Sequence, residues 1–212
     1  MPRPRFEKLP KERQHEIMMA AARTLADRGY EGASLNHILS EANLSKGAAY
    51  YYFDSKEDLI ATMFRFLWGE LTRMIAVEPD TLSPETFWPT IVAMSRQFFT
   101  LTEEKPWLMS AAKALWGLPH NLRTEAGPLK EAFDEVEGWM AMLLEHGRSL
   151  GQVRDDLPTG LLLAMVLGMD EAGDRWMLAH MDELGVKEVE RIIQTIVEVW
   201  ITVLSPPERR DG

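Results

Sequence analysis

Cysteine is absent from the 212-residue chain, which excludes disulfides, thiolate metal sites, cysteine nucleophiles and thiol-based redox sensing. A long hydrophobic run is missing too. The longest uncharged stretch, Leu157 to Met169, has 13 residues and contains Pro158, too short and too broken to span a bilayer. The N-terminus, MPRPRFEKLPKERQHE, lacks the apolar centre of a secretory signal. The expectation is a cytoplasmic protein without a membrane partner. Catalytic signatures are also lacking: the five histidines stand apart at 15, 37, 120, 146 and 180, with no HExxH pair, GxSxG elbow or phosphate loop. His146 beside Glu145 and His180 near Asp182 come nearest to a metal pair, and scattered surface histidines are the commoner outcome. No enzyme activity, metal or cofactor is expected.

An excess of positive charge, the usual footprint of nucleic-acid binding, is missing from the total, which is -10. Its distribution is uneven. Residues 1–60 hold nine Lys/Arg and nine Asp/Glu, whereas residues 61–212 hold 14 basic against 24 acidic. The first part is neutral and the second carries the whole deficit, so the two have different electrostatic roles.

Alternating strand-like runs do not occur, and apolar residues recur at helical spacing between glycine and proline breaks. The spacing predicts an all-α fold of about nine helices. A first helix is expected from about Pro10 to Arg28, with Ile17, Ala21 and Leu25 on one face and Gly29 as its C-terminal cap. Ser34 caps a second that buries Leu35, Ile38 and Leu39. Ala42-Asn43-Leu44 makes a tight connection, and Ser45 opens a third helix of about eight residues. Ser55 with Asp58 resembles a capping box that starts a long helix striped by Ile60, Met63, Phe64, Leu67, Leu71 and Met74. Further helices are expected near 84–103, 106–116, 127–150, 158–180 and 186–204, with residues 117–122 as a loop. Two domains follow: 1–60, of which 1–9 form a flexible basic arm, and 61–212.

A helix, a three-residue turn and a short second helix make a helix-turn-helix, whose second member enters a DNA major groove N-terminus first. Ser45, Lys46 and Gly47 put a hydroxyl, a cation and free N–H groups at the positive end of that helix, a seat for a phosphate. Gly47 and Ala48 are small enough for close approach to the bases, and Ala48 suits a thymine methyl. The run Tyr50-Tyr51-Tyr52 cannot all be core, since successive helical residues point about 100° apart. Tyr50 and Tyr52 would flank the helix against phosphates, Tyr51 would face the groove, and Phe53 would close the small core. Lys56 adds a phosphate contact, and Ser34 belongs to the same DNA-facing set. Arg3 and Arg5, among prolines, form an arm of the kind that enters minor grooves.

The stretch GYEGASLNHILSEANLSKGAAYYYFDSKEDL, Gly29 to Leu59, resembles the DNA-binding motif of the TetR family of bacterial transcriptional regulators over about 30 residues without a gap. Ala49 departs from the family's larger aliphatic residue, and Tyr52 stands where a histidine is frequent. The resemblance implies that residues from 61 onward form an effector-binding and dimerisation domain. It also implies a homodimeric repressor of a double-stranded operator, released by a small-molecule effector.

That larger part holds all seven tryptophans and ten of the thirteen methionines. Trp88, Met94, Phe98, Trp107, Trp116, Met140, Met165, Met169 and Trp176 are candidates to line a pocket for a hydrophobic or amphipathic ligand, with ordinary core as the competing role. Helices 158–180 and 186–204 are apolar around most of their circumference, which calls for cover on two sides. A four-helix contact with a second copy, through Leu162, Val166, Ile193, Val197 and Trp200, supplies it. Asp170 and Asp174 share a face and suit either a cationic ligand or an exposed helix end, and His120, Asn121 and Arg123 are candidate gate residues. Two rival readings stay open at this stage: a structural or partner-regulated DNA-binding protein without a small-molecule effector, and an all-α ligand carrier or enzyme retaining the motif.

Overall fold

Capping side chains set the element boundaries in the N-terminal part. The computed structural model describes residues 4–45, 50–75, 77–180 and 183–207, and every regular element among them is helical. Ten α-helices have described bounds: α1 Pro4–Glu7, α2 Lys11–Gly32, α3 Leu35–Glu41, α4 Lys56–Ile75, α5 Phe87–Glu104, α6 Trp107–Trp116, α7 His120–Thr124, α8 Pro128–Ser149, α9 Thr159–His180 and α10 Val186–Leu204. The all-α expectation holds, and the long helices fall within a few residues of their expected bounds. Among the described residues no helix is long and apolar enough to cross a membrane.

Gly29 breaks α2 with φ 68°, a left-handed angle that glycine adopts without a Cβ penalty. Ser34 caps α3, its hydroxyl accepting from the His37 N–H at 3.1 Å. The turn after α3 is a Schellman ending. The Leu44 N–H reaches the Leu39 carbonyl and the Asn43 N–H reaches that of Ser40, both at 2.9 Å, with Asn43 left-handed at φ 54°. Ser55 opens α4 by accepting from the Asp58 N–H at 3.1 Å, while Asp58 reaches back to the Asp54 N–H at 3.1 Å.

The chain divides into two compact units, Met1–Met74 with Thr102–Val136, and Ile75–Leu101 with Glu137–Gly212. The sequence division at residue 60 thus falls inside α4, and aromatic and ionic contacts account for the membership of residues 102–136 in the first unit. There α6 packs along α2, with Trp107 edge-on to His15 at 5.2 Å and 6.0 Å from Phe66. Phe64 stacks on Phe133 at 4.3 Å, Lys105 pairs with Glu70 at 2.9 Å and Arg65 with Glu135 at 2.8 Å.

In the second unit Phe87, Leu144, Val153, Leu162, Val166 and Leu204 form the core. Arg154 joins its segments, its N–H donating to the Leu204 carbonyl at 2.7 Å and its guanidinium to that of Val203 at 3.2 Å. Two short helices lie where sequence periodicity gives no signal. One is α7, which overlaps the expected loop 117–122. The other is α1, in the segment expected to be a flexible arm, where Phe6 is buried.

Asp170, on α9, is half-buried, and burial raises its carboxyl to about 6. The unfolded value is about 3.9, so between the two the folded state binds more protons, and stability falls as pH rises through that window. Asp170→Asn removes the cost of the buried charge. It is expected to raise stability at pH 7, by about 1 kcal/mol once solvent screening of a half-buried group is allowed for, and by clearly less at pH 4, read from urea unfolding at the two pH values.

Candidate nucleic-acid interface

The helix-turn-helix begins on a closed hydrophobic base. Ile17, Met18, Ala21, Leu25, Leu35, Ile38, Leu39, Phe53 and Leu59 are fully or nearly fully buried, which fixes α2, α3 and the start of α4 as one support. Arg13 adds a polar tie from α2 to the turn, its guanidinium donating to the Ala42 carbonyl at 2.7 Å. The left-handed Asn43 then reverses the chain in three residues.

Lys46, Gly47 and Ala48 lie outside the described residues, and Ser34 and Ser45 are exposed. Residues 50–52 are helical, and their three tyrosines separate by environment. Tyr50 is 56% exposed and Tyr51 45%, unusual for large aromatic side chains unless they meet a partner. Tyr52 is half-buried, edge-on to Tyr51 at 5.1 Å and to Phe6 at 6.4 Å. Phe53 is completely buried.

Lys56 stands at the first turn of α4. Its ammonium donates to the Tyr30 carbonyl at 2.7 Å and lies 3.6 Å from the centre of the Tyr30 ring, so its charge is anchored rather than extended. The Tyr30 hydroxyl in turn donates to Glu57. Burial pushes the Tyr30 phenol above its usual range, and the Glu57 hydrogen bond adds to that. For Glu57 burial acts upward, but the bonds from Tyr30, its own N–H and Ser55 and the nearby Lys56 charge together hold it below its ordinary value. This network clamps the end of α2 onto the start of α4. No pattern in the sequence announced it, because Tyr30 and Glu57 are 27 residues apart.

Residues 17–63 match the model of "Bacterial regulatory proteins, tetR family", a span that contains the capped α3, the Asn43 turn, the tyrosines and the start of α4. Over that span the chain is similar to the DNA-binding segment of TetR-family regulators. A Bacillus subtilis relative, the uncharacterised HTH-type transcriptional regulator YuxN, is 35% identical over 77 residues, 36% of this chain but only 26% of that protein. The fatty acid metabolism regulator protein of Bacillus subtilis is 24% identical over 177 residues, covering 81% of this chain and 86% of that one. Among solved structures, the transcriptional regulator FadR from Bacillus subtilis in complex with stearoyl-CoA superposes with a TM-score of 0.68 at 17% identity, over 90% of this chain and 98% of that chain. At that identity the likeness concerns the fold alone.

The other site candidates are divided between the two units. Trp88, Met140 and Met169 pack against the core of the second unit, while Trp107 is buried in the first unit against His15 and Phe66. Met94 is half-buried, Met165 and Trp176 are exposed, and the side chains of Phe98 and Trp116 lie outside the described residues. In the first unit Asn121 lines a shallow pocket of about 190 Å³ with Ser55, Glu57, Glu125 and Leu129. Arg123 donates to the Leu115 carbonyl at 2.6 Å, and the side chains of His120 and Asp174 are not described.

The expected contact set for a second copy needs correction. Leu162, Val166 and Val197 are buried within the chain itself and have no surface to offer, while Ile193 and Trp200 are half-buried. Among the described residues, the large apolar side chains that α9 and α10 leave exposed are Leu161, Met165, Trp176 and Val199. Beside them is an open groove of about 360 Å³ lined by Met169, Ile192, Ile196, Val199 and Trp200. On α9, apolar nearly all round through Met169, hydrophobicity does not reveal which face turns inward, whereas α10 alternates charged and apolar faces.

Proposed function

We propose that the chain is a ligand-responsive transcriptional repressor that binds a pseudo-palindromic operator as a homodimer and is released by an amphipathic acyl effector. The observation that carries this reading is the pair of exposed tyrosines, Tyr50 and Tyr51, held on a rigid capped support. The likeness of residues 17–63 to the TetR-family model adds to it. Each subunit would place residues 45–52 in one of two successive major grooves, about 34 to 36 Å apart. The apolar surface left on α9 and α10 supports a second copy as the cover for those helices. The acidic remainder of the chain would limit non-specific coating of DNA.

The effector class rests on likeness to Bacillus subtilis fatty-acid regulators: the fatty acid metabolism regulator protein aligns along 81% of this chain, and the FadR structure of that organism holds stearoyl-CoA. The methionine- and tryptophan-bearing core of the second unit is the kind of lining such a chain needs. Effector and DNA would weaken each other reciprocally by about 1 to 3 kcal/mol.

Binding curves over a salt series test the reading. Lys46→Ala is expected to weaken every duplex and to reduce the slope of log K against log salt by about 0.9, one phosphate contact. Tyr51→Ala is expected to keep the slope and lose discrimination between duplexes. Stearoyl-CoA, used as the probe with free coenzyme A as control, is expected to weaken operator binding about 5- to 150-fold. Equal losses on all duplexes for Tyr51→Ala would remove its base-reading role, and no response to the probe would remove the acyl effector.

A further inference from the structure

We propose that Arg5 is a DNA-backbone contact delivered beside Tyr51 by a folded N-terminal hook; this rests on the DNA-binding reading above. The hook is built from buried groups. Phe6 is 3% exposed and its ring lies 5.0 Å from that of Phe53 and 6.4 Å from that of Tyr52. Gln14, itself only 5% exposed, holds the following turn from α2. Its side-chain amide donates to the Glu7 carbonyl at 3.0 Å and the Leu9 carbonyl at 2.8 Å. The Leu9 N–H closes the turn on the Phe6 carbonyl at 3.0 Å.

One residue before this anchor, the Arg5 guanidinium lies 4.2 Å from the centre of the Tyr51 ring. A cation over an exposed aromatic ring is too weak a contact to order a chain terminus by itself, so the burial of Phe6 holds the arm and the position of Arg5 follows from it. A contact of this kind engages no oxygen acceptor, so it does not consume the hydrogen-bonding capacity of the guanidinium's five N–H donors. No carboxylate or carbonyl of a described residue takes them. Other cations of this unit are committed: Arg13 to Glu16 and Ala42, Lys56 to Tyr30. Arg5 is exposed and lies over the ring of Tyr51, itself 45% exposed. Where Tyr51 enters a groove, Arg5 is carried to within a few ångströms of the same groove's phosphate wall, and a planar fork suits a phosphate oxygen pair. The contact is therefore fixed in place rather than found by a wandering arm.

The test uses the full chain and a duplex that the wild type selects from a random pool. Arg5→Ala alters an exposed side chain and is expected to leave thermal stability unchanged, to weaken that duplex about tenfold and to lower the salt slope by about 0.9. Phe6→Ala, checked for folding by circular dichroism, is expected to give the same loss, and the double variant Arg5→Ala with Phe6→Ala no further loss. Arg5→Lys is expected to restore the slope and only part of the affinity. Unchanged binding and slope in Arg5→Ala, while the wild type still selects a site, overturns this proposal alone. Tighter binding in Arg5→Ala overturns it as well, by making Arg5 a cover that DNA must displace. A wild type that selects no site sinks the DNA-binding reading itself.

Discussion

Gly147→Ala is expected to destabilise the second unit by about 2 kcal/mol. A Cβ at this position would lie 2.4 Å from Cζ and 2.8 Å from Cε2 of Phe87, and 2.6 Å from Cγ2 of Val153. Neither neighbour can give way easily, because Phe87 is 1% exposed and Val153 2%, in the core that also holds Leu144, Leu162, Val166 and Leu204. Val153 is further tied by its N–H to the Gly147 carbonyl at 3.1 Å. Overpacking of this kind costs about 1 to 3 kcal/mol, and two rigid obstacles put it at the upper end. The better helix propensity of alanine returns about 1 kcal/mol. Gly138→Ala, at an exposed position of the same helix with nothing within 4 Å, should instead stabilise by up to about 1 kcal/mol. Urea unfolding followed by tryptophan fluorescence reads both, and a neutral or stabilising Gly147→Ala would mean that the packing of Phe87 on α8 is wrong.

Phe53→Ala is expected to cost about 3 to 5 kcal/mol, the range for deleting a buried aromatic ring, and to abolish selective DNA binding at temperatures where the chain remains folded. Phe53 is wholly buried and follows Tyr52 directly, between the helical turn that carries the tyrosines and the cap at Ser55. Its ring is also one of the two against which Phe6 packs. The substitution therefore loosens the support of the tyrosines and the hook in one step. Thermal unfolding and duplex binding measured on the same preparation check it. A cost below about 1 kcal/mol would show that the core is not closed there.

Much of the N-terminal unit is legible in the sequence because its signals are local. Ser34, Gly29, the Ala42-Asn43-Leu44 turn and the Ser55-Asp58 pair each act within a few residues, through caps and backbone angles that particular side chains favour. Phe53 as core follows from the same short range. Three features are not legible, for one shared reason. Phe6 is a single aromatic residue among charges and prolines with no period to reveal its burial. The Tyr30, Lys56 and Glu57 network joins residues 26 and 27 apart, and Trp107 meets His15 and Phe66 across still greater separation. Each depends on tertiary contacts to which local pattern is blind. The face of α9 that turns inward is hidden in a different way: Leu161, Leu162, Leu163, Met165 and Val166 are all apolar, so choosing Leu162 and Val166 over Leu161 and Met165 for a partner had no basis in hydrophobicity.

The measurement that goes most directly to the central claim is a selection of bound duplexes from a randomised pool at near-physiological salt, with Tyr51→Ala run beside the wild type. The account predicts that the wild type recovers a two-fold-symmetric site with half-sites about one helical turn apart, and that Tyr51→Ala recovers none. Recovery of no common site by a wild-type protein shown by mass spectrometry to carry no bound ligand, or recovery of the same site by Tyr51→Ala, would contradict it.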